Sequence, residues 1–214
     1  MKKYLTEFVG TLFLVLIIGL TQNPLAIGFG LTILVYMGAH ISGAHYNPVV
    51  SLAMFIRKEI GGIDFIKYLI AQILGAALAA YLVFTLSSNM TIQPNLDESV
   101  YQILLAEVLF TYLLVLVILN VACHPNLKEN SFYGLAIGLT VMAGAYSVGD
   151  LSGGVFNPAV SIGPSIIDFI SGTGVSQYFT WYYIVAPIIG SLIAVVHFNS
   201  VSYTHLRAHE TILD

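Results

Sequence analysis

The Asn-Pro pairs Asn47-Pro48 and Asn157-Pro158 stand at an offset of 110 (157 less 47). Asn is a favoured helix N-cap and Pro suits the first helical position, so each pair reads as a helix start whose Asn amide is left with hydrogen to donate. Such an amide suits a neutral polar molecule. Two acids, Glu7 and Glu107, interrupt apolar runs, where an ionisable group either holds backbone that lacks helical partners or relays protons. His40 and His45 flank the first pair and could be two metal ligands, but no Cys, Asp or Glu clusters with them. Neither a metal nor a cofactor is expected. The single Cys123 excludes an intrachain disulfide and a Cys-cluster metal site. Ser42 and Ser152 each precede Gly, which leaves an intramembrane hydrolase as the enzyme alternative. The second loop has no His to serve as its base.

The elements that must position these residues follow from composition. Of 214 residues 57 % are hydrophobic and only 8 % charged, against about 25 % in soluble domains, so the chain belongs in lipid. A net charge of −4 gives no electrostatic footing for nucleic acid. Six long apolar runs can cross a bilayer: 4–21, 25–42, 65–87, 99–122, 131–149 and 178–199. The opening run is a span, not a signal peptide, because Glu7 breaks its core and no small-residue cleavage site follows. Lys2, Lys3, Arg57, Lys58, Lys67, Lys128 and Arg207 all fall on one side of six spans. The positive-inside rule assigns that side, and both termini, to the cytoplasm of a plasma-membrane protein. The opposite loops carry acids: Asp97, Glu98, Asp150 and Asp168.

The chain repeats itself. Residues 25–51 match 135–161 without a gap, 6–17 match 106–117, and Tyr68, Gln72 and Gly75 match Tyr183, Pro187 and Gly190. Each half, about 1–87 and 99–199 of a single transmembrane domain 1–199, therefore holds three spans in the same order. An odd number per half means the halves insert with opposite orientation. The apolar segments after each Asn-Pro, 48–56 and 158–167, reach only about 14–15 Å, half of a hydrocarbon core. Entering from opposite faces, they meet at the midplane. The irregular loops 42–46 and 152–156 then line a wet cavity, the setting in which unpaired backbone survives at that depth.

At these residues the sequence resembles the aquaporin (major intrinsic protein) family. HISGAHYNPVVS at 40–51 is similar to the family signature, whose core is SGAHxNPA, and SGGVFNPAVSIGP at 152–164 to its second box. TEFVGT, Glu107, Gln72 with Gly75 and Pro187 with Gly190 fit as well, and the likeness spans about 4–199. The resemblance implies an all-α membrane protein: six transmembrane helices plus two re-entrant half-helices in two inverted three-span repeats. It implies a passive channel for water and small neutral solutes, with Asn47 and Asn157 as midplane donors, and a homotetramer with a pore in each subunit. By the same likeness Pro48, Val49, Pro158 and Ala159 cap the half-helices, and Gly43, Ala44, His45, Gly153 and Val155 line the pore. Glu7 and Glu107 support the loops.

Two departures stand out. Val49 replaces the Ala that ends the first box, adding bulk near the midplane in a way that should be tolerated. Val160 replaces the Arg that family members usually place after the second box. With Ile27, Ala145 and Gly154 it forms an outer constriction that is apolar and wider than a strict water filter. A facilitator mainly for glycerol, urea or ammonia is thus the alternative, ahead of a secondary transporter or a non-conducting structural organiser. Residues 200–214 are polar and unmatched in the first half. They form a C-terminal tail without expected structure, or a segment foreign to the native chain.

Overall fold

The computed structural model describes residues 1–87, 90–127 and 129–210, with side chains to residue 201. Six of its helices are long and apolar enough to cross a membrane. The first half holds α1 (Lys2–Thr21), α2 (Pro24–Ser42), the short α3 (Pro48–Ile56) and α4 (Gly62–Leu86). The second holds α5 (Val100–Ile118), α6 (Tyr133–Ser152), the second short helix α7 (Pro158–Ser171), a single turn α8 (Ser176–Phe179) and α9 (Tyr182–Glu210).

Local chemistry sets the helix ends. Asn23 accepts from the Leu25 and Ala26 N–H groups ahead of Pro24, and Ser99 and Gln102 close a reciprocal capping box on α5. After Ile118 the α5 ladder widens into a π-helical turn, Leu119–Cys123, then a tight turn Pro125–Leu127. The side chain of Asn120 donates to the Leu116 carbonyl at 2.8 Å inside this turn. Large apolar side chains point outward along the spans, Ile33 and Ile70 among them, as lipid rather than water requires.

The two halves are wired alike. α1 packs on α4 and α5 on α9 through matching glycines. A methyl group on Gly75 would lie 2.4 Å from the Phe8 carbonyl oxygen, and one on Gly190 would lie 2.5 Å from that of Val108. Backbone therefore touches backbone at both crossings, the close approach by which small residues let helices associate in lipid.

Three boundaries differ from the sequence expectation. Residue 150 is not in a loop, because α6 runs on to Ser152 and places Asp150 on its last turn. The second half-helix does not stop at 167: α7 has 14 residues, about 21 Å, and carries Pro164 within it. Asp168 is fully buried, accepting from the Thr173 N–H at 2.9 Å, the Thr173 hydroxyl at 3.1 Å and the Ser176 N–H at 2.9 Å. It is a folded-in acid that shapes the turn after α7, not a loop charge facing water. The helix α9 also continues through the expected tail to Glu210, extending the last span's backbone pattern past residue 199. Residues 211–214, Lys128 and the side chain of Arg207 lie outside the described residues.

Candidate functional site

Each short helix starts at its Asn. The Asn47 Oδ1 accepts from the Val49 N–H at 3.0 Å and the Asn157 Oδ1 from the Ala159 N–H at 2.9 Å, so both amide NH₂ groups are turned away from their own helices. They cross. Asn47 Nδ2 donates to the Phe156 carbonyl and Asn157 Nδ2 to the Tyr46 carbonyl, each at 2.9 Å. An amide nitrogen carries two hydrogens, so each Asn keeps one beyond this bond.

The loops that lead into these caps share one conformation. Gly43, Ala44 and Tyr46 have φ of 85°, 51° and 48°, and Gly153, Gly154 and Phe156 have 92°, 60° and 49°. Left-handed backbone at Ala44, Tyr46 and Phe156 is strained for side chains with a Cβ and persists only where neighbours over-determine it. The buried glutamates do so. Glu7 accepts from the Ser42 hydroxyl (2.6 Å) and from the N–H groups of His45 (3.0 Å) and Tyr46 (2.7 Å). Glu107 accepts from the Ser152 hydroxyl (2.8 Å) and from the N–H groups of Val155 (3.0 Å) and Phe156 (2.7 Å). The two serines in turn accept from Ala44 and Gly154.

Two tyrosines finish the support. Tyr68 donates to the Ser42 carbonyl at 2.7 Å and Tyr183 to the Ser152 carbonyl at 2.6 Å. The repeat paired these residues, but a tyrosine in an apolar span carries no signal of its partner.

The symmetry ends one residue deeper. Gln72 donates to Glu7 at 2.8 Å and to the Ser51 hydroxyl at 3.0 Å, and Ser51 meets the His45 Nδ1 at 3.0 Å. In the second half the matching positions are Pro187 and Val155. Glu107 lacks the glutamine donor, and the buried Ser161 hydroxyl, the counterpart of Ser51, has no hydrogen-bond partner.

These loops wall a cavity of about 870 Å³ lined by residues of both halves. Asn47 and Asn157 are on its wall, with Gly43, Ala44, His45, Gly153 and Val155. Ile27, Ala145, Gly154 and Val160 are there too, whereas Pro48, Val49, Pro158 and Ala159 are buried behind it. Val49 packs inside the bundle, its carbonyl accepting from the Ser191 hydroxyl at 2.9 Å, so its extra bulk is not spent on the lumen.

The segment 90–93 also lines the cavity, a place that the sequence pattern does not mark. Its Ile92 N–H donates to the Ser176 hydroxyl at 2.9 Å, and the Asn95 N–H to the Leu151 carbonyl at 3.1 Å. Asp168 therefore steadies this wall through Ser176. No pattern of apolar residues marks such a loop, and the available hint was an acid inside an apolar segment. His40 and His45 both line the cavity, and among the described residues no group of three His, Cys, Asp or Glu could hold a metal ion.

The family model for the major intrinsic protein matches residues 1–198. The chain belongs to the major intrinsic protein family. Major intrinsic proteins are channels for water and small solutes, and this chain is a multi-pass membrane protein of that kind. It is 38 % identical over 212 residues to a "Glycerol uptake facilitator protein-like 6" of Lactiplantibacillus plantarum, covering 91 % of this chain and 95 % of the relative. It is 30 % identical to "Aquaporin AqpM" of Methanothermobacter thermautotrophicus, covering 92 % and 96 %. The crystal structure of the aquaglyceroporin from Plasmodium falciparum has the same fold, with a TM-score of 0.85 at 23 % identity over 94 % of this chain and 96 % of that one.

Proposed function

We propose that this major intrinsic protein conducts water and small uncharged solutes passively through the cavity between its two halves, and excludes ions. The observation that carries the reading is the crossed pair of asparagines, each tied to the other loop's backbone and each with a hydrogen left toward the cavity it lines.

A permeant that enters gives up bulk hydration and needs replacements. The N–H groups of residues 44–46 and 154–156 are directed onto Ser42, Glu7, Ser152 and Glu107. The carbonyls of Tyr46 and Phe156 are taken by the asparagines; those of residues 43–45 and 153–155 remain as acceptors for the lumen, and the spare Asn hydrogens are the donors. A water that accepts from both donors points its own hydrogens away from the midplane in both directions, which interrupts a proton wire. Each short-helix N-terminus adds roughly half a positive charge at the same place, and the two together raise the barrier to cations.

The outer constriction sets which solutes follow. Ile27, Ala145, Gly154 and Val160 present no charged or hydrogen-bonding side chain, and Val160 stands where the resemblance led one to expect an Arg. A wall of this kind discriminates by size and by the cost of dehydration, which favours compact neutral molecules. The relative named as a glycerol uptake facilitator is consistent with a facilitator for glycerol, urea or ammonia as the second reading. We place both termini in the cytoplasm, the protein in the plasma membrane and the working unit as a homotetramer with one pore per subunit. The deciding experiment is stopped-flow light scattering of proteoliposomes challenged in turn with sucrose, glycerol and urea. Water and at least one solute should equilibrate faster than in empty vesicles; no acceleration for any of them overturns the channel.

A further inference from the structure

We propose that a single buried water molecule bridges Glu107, Thr111 and Ser161 behind the second pore loop, at the place where the Gln72 amide bridges the first. The site is apart from the conducting path, because neither these three residues nor Pro187 are among the described residues that line the cavity.

The first half shows what the position requires. Glu7 Oε1 accepts from the Ser42 hydroxyl and the His45 N–H. Its Oε2 accepts from the Tyr46 N–H and from Gln72 Nε2, which also donates to Ser51. Glu107 repeats this pattern up to the last bond. Its Oε1 accepts from Ser152 and Val155 and its Oε2 from Phe156, so among the described residues Oε2 is one donor short of its counterpart. Pro187 stands where Gln72 does, a ring of carbon in place of an amide. Two hydroxyls are left over. Ser161 and Thr111 are fully buried, and among the described residues neither hydroxyl has a hydrogen-bond partner. Thr11, Thr32 and Thr140 each donate to the carbonyl four residues back, at 2.8–3.0 Å, as a hydroxyl on an apolar helix can. Thr111, one turn after Glu107, does not.

The fold brings these groups to one stretch of α9. α7, which carries Ser161, packs on α9, and the repeat sets Ser161 against Pro187 as Ser51 is set against Gln72. A methyl group on Gly190, one turn beyond Pro187, would lie 3.1 Å from the Thr111 Cβ. Pro187 has no N–H to offer the Tyr183 carbonyl four residues back, so α9 adds an opened acceptor of its own. Two rotatable hydroxyls, a carboxylate oxygen with a lone pair to spare and a freed carbonyl suit a ligand that both donates and accepts and is no larger than the missing amide. Water fits that description, and a buried water ordinarily makes about three such bonds. It ties α5, α7 and α9 together one turn from Tyr183, whose hydroxyl holds the Ser152 carbonyl. The first pore loop is thus braced by a side chain and the second by an exchangeable molecule.

The sign of a stability change reads the site. A hydroxyl buried without a partner costs stability, so deleting it raises the unfolding midpoint, whereas deleting one that bonds a water lowers it. Ser161→Ala and Thr111→Val should each lower the midpoint in detergent. The double variant should lose less than the sum of the two, because both hydroxyls share one partner. A crystal structure of the parent protein that resolves ordered solvent should show a water oxygen about 2.5–3.0 Å from Glu107 Oε2 and from at least one of the two hydroxyls. In Pro187→Gln the new amide should occupy that place. Absence of solvent density there overturns the proposal, and so do midpoints that rise in both single variants. None of these readouts depends on what the pore conducts.

Discussion

Replacing Glu107 separates the hydrogen-bond account of the second pore loop from a purely steric one. The residue is fully buried and accepts from the N–H groups of Val155 and Phe156 and from the Ser152 hydroxyl. In Glu107→Ala the hydroxyl keeps a second acceptor, the Val148 carbonyl at 3.3 Å, but the two N–H groups have none. A stranded buried donor costs about 1–3 kcal/mol, so the pair costs about 2–6 kcal/mol. Glu107→Gln behaves differently. Its amide oxygen can still accept from Val155 and Ser152, while its NH₂ faces the Phe156 N–H, donor against donor, so one group is stranded at about 1–3 kcal/mol. The glutamine variant should therefore lose about half as much stability as the alanine variant. Denaturant unfolding in detergent, followed by tryptophan fluorescence from Trp181, measures the difference, and stopped-flow shrinkage reports the pore. Water permeability should fall in the same order, because Gly154 and Phe156 hold left-handed backbone that only the anchored loop maintains. If both variants unfold at the parent midpoint and conduct water normally, the carboxylate does not hold the loop and the reasoning is wrong.

The remaining predictions concern selectivity and packing. Val160→Arg should reduce glycerol and urea flux by about tenfold while water falls by less, since it fills an apolar wall with a polar fork; equal loss for all solutes in the stopped-flow assay would reject the assignment of Val160 to the constriction. Gly75→Ala should destabilise by about 1–3 kcal/mol, because its methyl meets the Phe8 carbonyl oxygen at 2.4 Å and backbone cannot yield cheaply. Gly62→Ala, whose methyl would lie 3.7 Å from Phe55, should leave the unfolding midpoint of the protein nearly unchanged. Asp168→Asn replaces one acceptor oxygen by a donor facing Thr173 or Ser176 and should cost about 1–3 kcal/mol in the same unfolding experiment.

The parts of this molecule that were legible in its sequence are those written by local rules. Six apolar runs of bilayer length, the Asn-Pro starts at 47 and 157 and an offset between matching segments determine where helices lie and that the halves oppose each other. The role of Glu7 and Glu107 as loop supports followed from resemblance and from the cost of an acid in lipid. Contacts between distant segments were not legible. Gln72 reaches both Glu7 and Ser51, and nothing in its neighbours along the chain distinguishes a glutamine that bridges two elements from one at a helix crossing. Asp168 looked like a boundary because acids end apolar runs. Its carboxylate instead finds three donors in the next turn, which let α7 run on. The wall formed by residues 90–93 depends on Ser176, 84 positions after Ile92, and loop residues have no periodicity to betray such a tie.

The crossed asparagines also set a timetable for biogenesis. The hydrogen-bond acceptor of Asn47 is Phe156, 109 residues further along, and that of Asn157 is Tyr46, 111 residues back. Synthesis runs from the N-terminus at about 5–20 residues per second, so the first half waits about 5–22 s in the bilayer with its loop 42–46 held by Glu7 on one side only. The clasp closes in one step when α7 turns in. A ribosome-bound chain that ends before residue 156 is thus an inserted but unsealed half-channel, and the two halves expressed as separate polypeptides should need each other to exclude ions.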